Sequence, residues 1–534
     1  MAEPTQFIGT HGGKDSNLEF AGDYNLPFVH LISHMGEGVS PSTHGEDIGP
    51  MVIEFNLYES VFSSSVTGSL VIVDTQNLIT KLPIQGTERL SFKLTTKLET
   101  SNEDTVINCL ESNGTAMHVF AVTDKRQLND NTLTYTIQFA SREFVRNLRT
   151  RVSESFNGRM DEMVNKIFTD PDYLDSQKKL YYQKTRNSDK IVVPNLNPFD
   201  AINMISKKSL SDIDGSKGAG YMFFETTKGF HFRSWESMCV DSSDRLRDSK
   251  QSFRYVLANT GNPHDNSKGA EGSDRVTEGY RNVREYKFMS NFHDVAANTA
   301  LGTYGHRVIT HNIYNKSYRE DDYNYHNAWN QTAHLEDFPS IAHSPVDYDV
   351  NDNVAYESQK GVSDWPESRV SLQSTTQYAH GEDTGSFGTP VEDDGRLEGT
   401  RIALMNKIDS GTRLQLTVNG QGRLQAGDII EFDLQSVENR ENANASGNLL
   451  DPQYSGRYII TDIRHRVAQD KFLQVLTCVK DSSKSGFGYA GGKSFTEISG
   501  GTAKRKGMGI DISKDDELPV SKTPTSYKGW YPGA

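Results

Sequence analysis

Two distant stretches of this chain alternate apolar and polar side chains with a period of two residues. The alternation passes through Phe55 and Leu57 in the first stretch and through Leu414 and Leu416 in the second. A period of two places one set of side chains on the core face of a β-strand, whereas a helix repeats its apolar positions every three or four residues. Short apolar runs such as Leu70–Val73 indicate strands that are buried on both faces. The sequence therefore predicts two separate regions of antiparallel β-structure.

The hydrophobic period changes between these two regions. Met163 and Ile167 recur at helical spacing, and Asn197 followed by Pro198 is typical of a helix start. A β-hairpin is expected where Gly229 separates two short apolar runs, because its turn requires a positive φ angle. These features predict a small α+β domain.

A polar region follows the α+β domain and precedes the second β region. It is rich in Asp, Asn, His and Tyr, and it reads as a peripheral domain that ends in an extended arm. The predicted fold class is β-rich α+β, and the chain is multidomain. The expected parts are an extended arm at 1–24, a first β-domain at 25–148, the α+β domain at 149–240, the polar peripheral domain at 241–395, a second β-domain at 396–480 and a flexible tail at 481–534.

Composition excludes several classes of protein. Of the 534 residues, 56 are Lys or Arg and 71 are Asp or Glu, and a net charge of −15 argues against a nucleic-acid-coating protein. The sequence has no apolar run long enough to span a membrane, and the first residues do not form a secretory signal. Cys109, Cys239 and Cys478 lie far apart, which predicts reduced and mostly buried thiols in a protein that folds in a cytosol.

The sequence contains no convincing catalytic motif. Gly492, Lys493 and Ser494 resemble the end of a phosphate-binding loop, but Phe487 occupies the position of the required glycine. Neither G-x-S-x-G nor H-E-x-x-H occurs. We therefore expect no enzymatic activity and no cofactor.

Histidines and acidic runs suggest metal sites only weakly. The acidic runs at 319–322 and 392–394 do not have the spacing of a calcium loop, so a solvated face is favoured. The histidines are irregularly spaced, which favours polar loops that hydrogen-bond across a subunit surface over zinc or iron binding. They are His293, His306, His311, His326, His334 and His343. No metal is expected, and the role of the 293–343 region stays open.

Short motifs in both β-regions resemble one protein family. Residues 67–74 read T-G-S-L-V-I-V-D and residues 82–88 read L-P-I-Q-G-T-E, which is similar to the first tube domain of phage baseplate hub proteins. The tract 424–432 and the pattern G-x-Y-x-I at 456–460, followed by Ile463-Arg464-His465, resemble their second tube domain. Late-control tail proteins and type VI secretion spikes carry a similar pattern. The chain thus resembles the central baseplate hub protein of contractile-tailed bacteriophages.

The resemblance implies a structural homotrimer. Each chain would supply two tube-like antiparallel β-barrel domains, so that three chains form a ring of six units between a six-fold tail tube and a three-fold spike. The ring would surround a channel through which genome DNA passes only in transit. An acidic lumen would repel DNA phosphates, although the acidity could equally serve solubility. The interface candidates are Gly68, Asp74, Gly427, Asp428, Tyr458, His465, Trp530 and Tyr531.

The resemblance also implies partners and a location. The tail tube or its initiator would bind above, the spike below and the baseplate wedges outside, in a virion baseplate assembled in the host cytoplasm. One alternative is a type VI secretion spike component, although such spikes usually carry a long β-helical needle and this chain ends in a short tail. The other is a tail-associated cell-wall or polysaccharide hydrolase with carboxylates in 241–395.

Overall fold

The structure is a computed structural model that describes most of the chain between residues 21 and 484. Residues 1–20, which form most of the predicted arm at 1–24, lie outside the described residues. The residues from 485 onward, which include Trp530 and Tyr531, also lie outside them. Within the described part, no helix has the length and apolar character needed to cross a membrane. The described ranges are 21–33, 45–82, 84–96, 106–211, 218–239, 253–257, 279–289, 294–313, 316–341, 361–374, 399–405, 408, 411–434, 450–451, 453–468 and 471–484.

The first β-region folds around an aromatic core. Phe55, Phe92 and Phe139 are buried, and their ring centroids lie 4.9 to 6.1 Å apart. The predicted alternation of side chains is confirmed in β9, and Phe55 and Leu57 of β4 face this core. At the start of β4 a register shift interrupts the alternation, so that Val52 is buried and Ile53 is half-buried. The elements are β1 (Tyr24–Asn25), β2 (Val29–Ile32), β3 (Glu46–Asp47), β4 (Val52–Ser60), β5 (Thr67–Asp74), α1 (Leu78–Lys81), β6 (Arg89–Thr96), β7 (Val106–Cys109), β8 (Met117–Asn129) and β9 (Thr132–Ala140), with short 3-10 helices at Gly49–Met51 and Glu111–Asn113.

The α+β region packs its helices on small sheets of its own. One helix begins at Pro198 as predicted, although the Asn197 side chain makes no capping hydrogen bond. The predicted hairpin is also confirmed, and Gly229 has a φ angle of +146°. The elements are α2 (Arg142–Arg149), β10 (Ser155–Arg159), α3 (Met160–Thr169), β11 (Leu180–Tyr182), β12 (Ser188–Val192), α4 (Pro198–Ser206), β13 (Tyr221–Thr226), β14 (Gly229–Ser234) and α5 (Trp235–Cys239).

The polar region contributes strands to two different sheets. Strands β17, β18 and β20 form a small sheet with one buried face, on which Val308 lies. By contrast, β15 and β16 pair with strands of the second β-region, so residue 396 does not separate the two regions within the sheet. The elements are β15 (Phe253–Leu257), β16 (Asn282–Phe288), α6 (Val295–Ala300), β17 (Gly305–Asn312), β18 (Ser317–Asn324), α7 (Tyr325–Ala328), β19 (Phe338–Pro339) and β20 (Val370–Ser374), with 3-10 helices at Trp329–Gln331 and Pro366–Ser368.

The second β-region is the last part of the chain that the structure describes, and it contains the longest pairing. The predicted antiparallel pairing of the strand at 456–463 with 472–479 is confirmed, and it continues to Ala468 and Lys471. Pairing also runs from β22 through β15, β16, β21, β24 and β23 and returns to β22. The elements are β21 (Thr412–Asn419), β22 (Ile429–Asp433), β23 (Gly456–Ala468), β24 (Lys471–Lys480) and β25 (Ser482–Ser483).

One sheet of 15 strands passes through both β-regions. Strand β23 pairs antiparallel with β4, from Asp462 opposite Ser60 to Ala468 opposite Glu54. Because the two strands are about 400 residues apart in the chain, this pairing joins the first and second β-regions directly. The fold is therefore β-rich and multidomain, with the two β-regions sharing a sheet.

Candidate functional site

The pairing of β4 with β23, here called the seam, depends on an irregularity in β23. The first part of β23 pairs with β22 and the second part pairs with β4, and the register shifts between Ile460 and Asp462. At this shift the N–H of Val61 donates to the carbonyl of Thr461 at 2.9 Å, and Ser60 Oγ donates to Asp462 Oδ1 at 2.6 Å. A bulge of this kind bends a strand. Beyond it β23 stays paired with β24 on one edge and changes its partner from β22 to β4 on the other.

The outer face of the seam carries paired charges. Arg464 Nη2 and Arg466 Nε each lie 3.0 Å from Glu54 Oε1, and Arg464 Nε donates to Asn56 Oδ1 at 2.9 Å. Partial burial would raise the pKa of Glu54, but the hydrogen bond from Arg466, assisted by Asn56 and the charge of Arg464, lowers it below its ordinary value. Glu54 is therefore ionised and neutralises part of the arginine charge.

A polar face extends from the seam across eight strands. The registers place these strands side by side in the order β16, β21, β24, β23, β4, β5, β9 and β8, and every neighbouring pair is antiparallel. We call β4, β5, β9 and β8 the first four-strand unit and β23, β24, β21 and β16 the second. The residues of this face are half-buried or exposed, and they include Glu285, Lys287, Gln415, Thr417, Val475, Thr477, Thr67, Ser69, Thr136, Gln138, Ala121 and Thr123.

Glu59 occupies the opposite, buried face of the seam. Its Oε1 accepts the N–H of Thr227 at 2.9 Å, and its Oε2 accepts the N–H of Ala426 at 3.0 Å. His465 Nε2 lies 3.5 Å from Oε1. Burial would raise the pKa of Glu59, but His465 and the two N–H groups outweigh burial and hold the pKa below its ordinary value. The Glu59 carboxylate, which belongs to the first β-region, thus contacts both the α+β region and the second β-region.

A buried chain of polar groups continues from His465 into the second β-region. Gln474 Nε2 lies 3.0 Å from His465 Nδ1 and donates to the carbonyl of Gln421 at 2.8 Å. The Gln421 side chain in turn donates to the Tyr255 hydroxyl at 2.9 Å. The path from Glu59 therefore reaches β15, and each link fixes the orientation of the next.

The turn of the β13–β14 hairpin, residues 225–229, lies between the two β-regions. Glu225 Oε2 accepts the N–H of Val66 at 2.8 Å, and Lys228 Nζ donates to the carbonyl of Val106 at 2.7 Å. Thr226 Oγ1 donates to Gln425 Oε1 of the second β-region at 3.3 Å. This turn therefore contacts both β-regions, with Thr227 reaching Glu59 at its centre.

Behind this turn, one mostly buried lysine is shared by two buried glutamates. Lys178 Nζ lies 2.6 Å from Glu225 Oε1 and 3.0 Å from Glu143 Oε2. Burial would lower the pKa of Lys178, but the two carboxylates raise it well above its ordinary value. The ionised lysine holds α2 and β13 together, which fixes the hairpin that reaches Glu59.

Three of the predicted interface residues lie at this junction inside the chain. Gly427 has a φ angle of +90°, and its N–H donates to the carbonyl of Ile460 at 2.8 Å. Asp428 is buried and its carboxylate accepts the N–H of Gln425 at 3.0 Å, which closes the turn that presents Ala426 to Glu59. His465 faces the carboxylate of Glu59. His465 contacts the first β-region directly, whereas Gly427 and Asp428 act within the second β-region by shaping the turn that carries Ala426.

The other three predicted residues that the structure describes, Gly68, Asp74 and Tyr458, are buried elsewhere. A Cβ on Gly68 would lie 2.2 Å from Phe139 Cζ, so glycine is needed where β5 packs against the core. The Asp74 carboxylate accepts the N–H groups of Gln76 and Ile79 before and within α1. Tyr458 is buried and its hydroxyl donates to the Tyr454 carbonyl at 2.6 Å.

Sequence reasoning missed Glu59, Lys178, Glu143 and Glu225. A signal for Glu59 is present in the sequence, because it continues the core positions Phe55 and Leu57 of β4 with a charged residue. Lys178 and its two partners have no such signal, since they come from three distant segments.

The described histidines make separate hydrogen bonds. His306 Nδ1 lies 2.7 Å from the Gly302 carbonyl, and burial lowers the pKa of His306 to about 4. His334 Nδ1 lies 2.9 Å from Asp481 Oδ2. Among the described residues no three His, Cys, Asp or Glu side chains converge on a metal position. His293 and His343 lie outside the described residues.

Comparison with known proteins supports the resemblance drawn from the sequence. No protein-family model matches the chain. A curated relative, the probable baseplate hub protein gp334 of Vibrio phage KVP40, is 21% identical over 291 residues, which cover 54% of this chain and 58% of the relative. The match therefore spans less than two thirds of that protein. The resemblance to phage baseplate hub proteins is confirmed.

Solved structures of tail proteins give weaker matches. A tail protein from Neisseria meningitidis MC58 has a TM-score of 0.43 at 7% identity, covering 86% of this chain and 97% of its own. The 43 kDa tail protein of prophage MuSo2 from Shewanella oneidensis has a TM-score of 0.42 at 9% identity, covering 85% and 99%. The c3393 protein of E. coli, described as a component of the type VI secretion system, has a TM-score of 0.35 at 9% identity, covering 83% and 77%.

Proposed function

We propose that this chain is the non-enzymatic hub protein of a contractile phage tail baseplate, and that three copies close into a ring that adapts a six-fold tail tube to a three-fold spike. The observation that carries the proposal is the shared sheet, in which two four-strand units stand side by side. Three copies of a two-unit chain supply six units, which matches a six-fold partner while the ring keeps three-fold symmetry.

The directions of the strands support closure of the ring. Since every neighbouring pair in the eight-strand order is antiparallel, β8 runs in the same direction as β23, and β16 runs in the same direction as β4. When β8 of one copy meets β16 of the next, the two strands are antiparallel, as in the seam. Each contact between copies would therefore repeat the contact within a copy.

Free strand edges are available for this pairing. Within the described residues, β8 pairs with β6 only at Met117 and His118, which leaves the edge at 120–129 open. Likewise β16 pairs with β15 only at Asn282 and Val283, which leaves the edge at 284–288 open. Exposed edges invite association, and proteins that avoid aggregation cover them. A neighbouring copy would cover both, and the pairing cycle of the second β-region would form its tube-like barrel.

The polar face would then line the bore. It is rich in hydroxyl and amide side chains, and its acids at the seam are matched by arginines, as Glu54 is by Arg464 and Arg466. DNA would pass over a surface with little net charge rather than a strongly acidic one, and the remaining negative charge of the chain would lie elsewhere. Neutral hydroxyls offer phosphates no strong attraction, which suits passage in transit.

The remaining parts would hold the partners. In this proposal the tail tube or its initiator binds one end of the ring and the spike binds the other. The polar region 241–395 and the tail 481–534 would contact the spike and the baseplate wedges, in a virion assembled in the host cytoplasm.

The test is the mass of the purified chain in solution together with electron microscopy. We expect three times the 59.7 kDa of one chain, and a ring with an open centre. A stable monomer, or a trimer without a bore, would contradict the proposal. Turnover of peptidoglycan or capsule by the purified protein would favour the hydrolase alternative.

A further inference from the structure

We propose that Glu59 is the positioning residue that fixes the angle between the two four-strand units and so decides whether three copies can close; the second part rests on the proposed ring. The first and second units touch through one pair of strands in the sheet. A pair of strands can twist over a wide range, so a further contact must select one angle.

Glu59 has the contacts that such a residue needs. Its side chain belongs to the first unit, while the N–H of Ala426 and the ring of His465 belong to the second β-region. The N–H of Thr227 adds the α+β region to the same carboxylate. Any rotation of one region about the seam would lengthen at least one of these three contacts.

The position of Glu59 along the seam allows these contacts to restrain the angle between the two units. Glu59 stands opposite Ile463, next to the register shift at which β23 changes from β22 to β4. The end of the seam at this shift is where the two units could separate or twist most easily. The other end, near Ala468, is held separately by the ion pairs of Glu54 with Arg464 and Arg466 and by Val467, which packs in the first core.

Stability alone does not account for a carboxylate here. The alternation of β4 calls for an apolar residue after Phe55 and Leu57, and replacing a buried ionic group by an apolar one is often neutral or stabilising. A buried acid with directed hydrogen bonds instead specifies one arrangement, because any other leaves its oxygens without donors. The residue therefore serves orientation.

The chain supplies a matched control in the same strand. Glu54 also lies on β4 in the seam, but on the polar face, where it contacts half-exposed Arg464 and Arg466. Exposed ion pairs contribute little. Glu54→Gln therefore changes the same charge in the same strand without touching the junction.

The experiment compares wild type, Glu59→Gln and Glu54→Gln by amide hydrogen exchange and by native mass measurement of the full chain. In Glu59→Gln we expect the amides of Thr227 and Ala426 to exchange at least tenfold faster, while core amides of β5 and β9 keep their rates. The trimer fraction at a fixed concentration should fall at least tenfold. Glu54→Gln should match wild type in both measurements.

A second variant keeps the test informative if Glu59→Gln fails to fold. His465→Gln leaves β4 unchanged and removes the ring that faces Glu59, and we expect faster exchange at Ala426 with a smaller loss of trimer. Wild-type exchange at Thr227 and Ala426 in both variants, or normal trimer formation despite faster exchange, would overturn the inference. A monomeric wild type would refute the ring, and with it the second part of the inference, while the exchange rates would still decide whether Glu59 joins the three regions.

Discussion

At the scale of single residues, buried acids set the pH dependence of this protein. Glu236 in α5 is buried, and burial raises its pKa to about 7 from an ordinary value of 4.5. Hydrogen bonding from Ser234 and the Gly220 backbone only partly opposes this effect. As the pH rises above 4.5, the unfolded chain releases this proton before the folded chain does. The stability associated with Glu236 is therefore complete below pH 4.5 and is lost as the pH rises through 7.

We predict that Glu236→Gln removes this loss. The amide has a similar shape and no charge, so at pH 8 the free energy of unfolding should exceed that of wild type by about 1–3 kcal/mol. At pH 5 the two proteins should differ little, because the wild-type carboxyl group is then protonated. Thermal unfolding at both pH values measures the difference. Exposed Glu285→Gln is the control, and an equal effect of Glu236→Gln at both pH values would refute the assignment.

At the scale of elements, the turn before β22 depends on a glycine. Gly427 has a φ angle of +90°, and a Cβ there would lie 3.2 Å from both Met238 Sδ and Phe224 Cζ. An alanine would bring backbone strain and a tight contact, both at the turn that carries Ala426. Gly114 offers a comparison, because its φ angle is +68° and a Cβ would meet nothing within 4 Å.

We predict that Gly427→Ala destabilises the protein more than Gly114→Ala does. Strain alone should cost about 1 kcal/mol at either glycine, and the crowded site should add about 1 kcal/mol or more. Urea unfolding measures both variants. Equal losses would mean that the turn can shift away from Met238 and Phe224 without cost.

The sequence predicts those elements whose interacting residues lie close together in the chain. The alternation through Phe55 and Leu57 predicted β4, because side-chain period is a local property. The strands β15 and β16 lie in the segment whose composition predicts a polar peripheral domain. The two strands pair with each other, but β15 also pairs with β22 and β16 with β21, both more than 100 residues away, and no local pattern records such pairing.

The open strand edges lead to a prediction about contacts between copies. If β8 of one copy pairs with β16 of the next, cysteines at Thr123 and Glu285 on the polar face should form disulfides between chains under mild oxidation. The native cysteines are buried, so the background should be low. Denaturing electrophoresis should resolve linked dimers and trimers. Ala121 with Lys287 tests the next pair of the same antiparallel register, and Ser69 with Glu285 is the control, because β5 is an interior strand.

At the scale of the whole molecule, the faces on which the charges lie depend on long-range pairing. The sequence gives a net charge of −15 but cannot say which face carries it, because facing depends on the pairing of β4 with β23. The junction was equally hidden: Glu59 could be noticed as an acid in a core position, but Ala426, Thr227 and His465 meet it only after folding. The resemblance supplied the overall plan, and the long-range pairings determine the sites within it.

The ion pairs on the polar face lead to a prediction about the affinity of the assembled protein for DNA. Glu54 neutralises part of the charge of Arg464 and Arg466 on the polar face, so Glu54→Gln should leave these two guanidinium groups in each copy without this carboxylate and able to bind phosphate. We expect about tenfold tighter binding of duplex DNA at low salt, with a salt slope steeper by about 1–2 for each bound site. Fluorescence anisotropy over a range of salt concentrations measures both quantities.

A matched substitution separates this effect from a change in net charge. Glu320→Gln removes the same charge from β18, where Arg307 keeps Asp322 as its partner at 2.6 Å. It should leave DNA binding at the wild-type level, because no arginine is released. If both variants bound DNA equally well, the compensated charges on the polar face would have no special role in passage. If only Glu54→Gln gained affinity, the pairing of acid and base at the seam would account for a bore that lets DNA through without holding it.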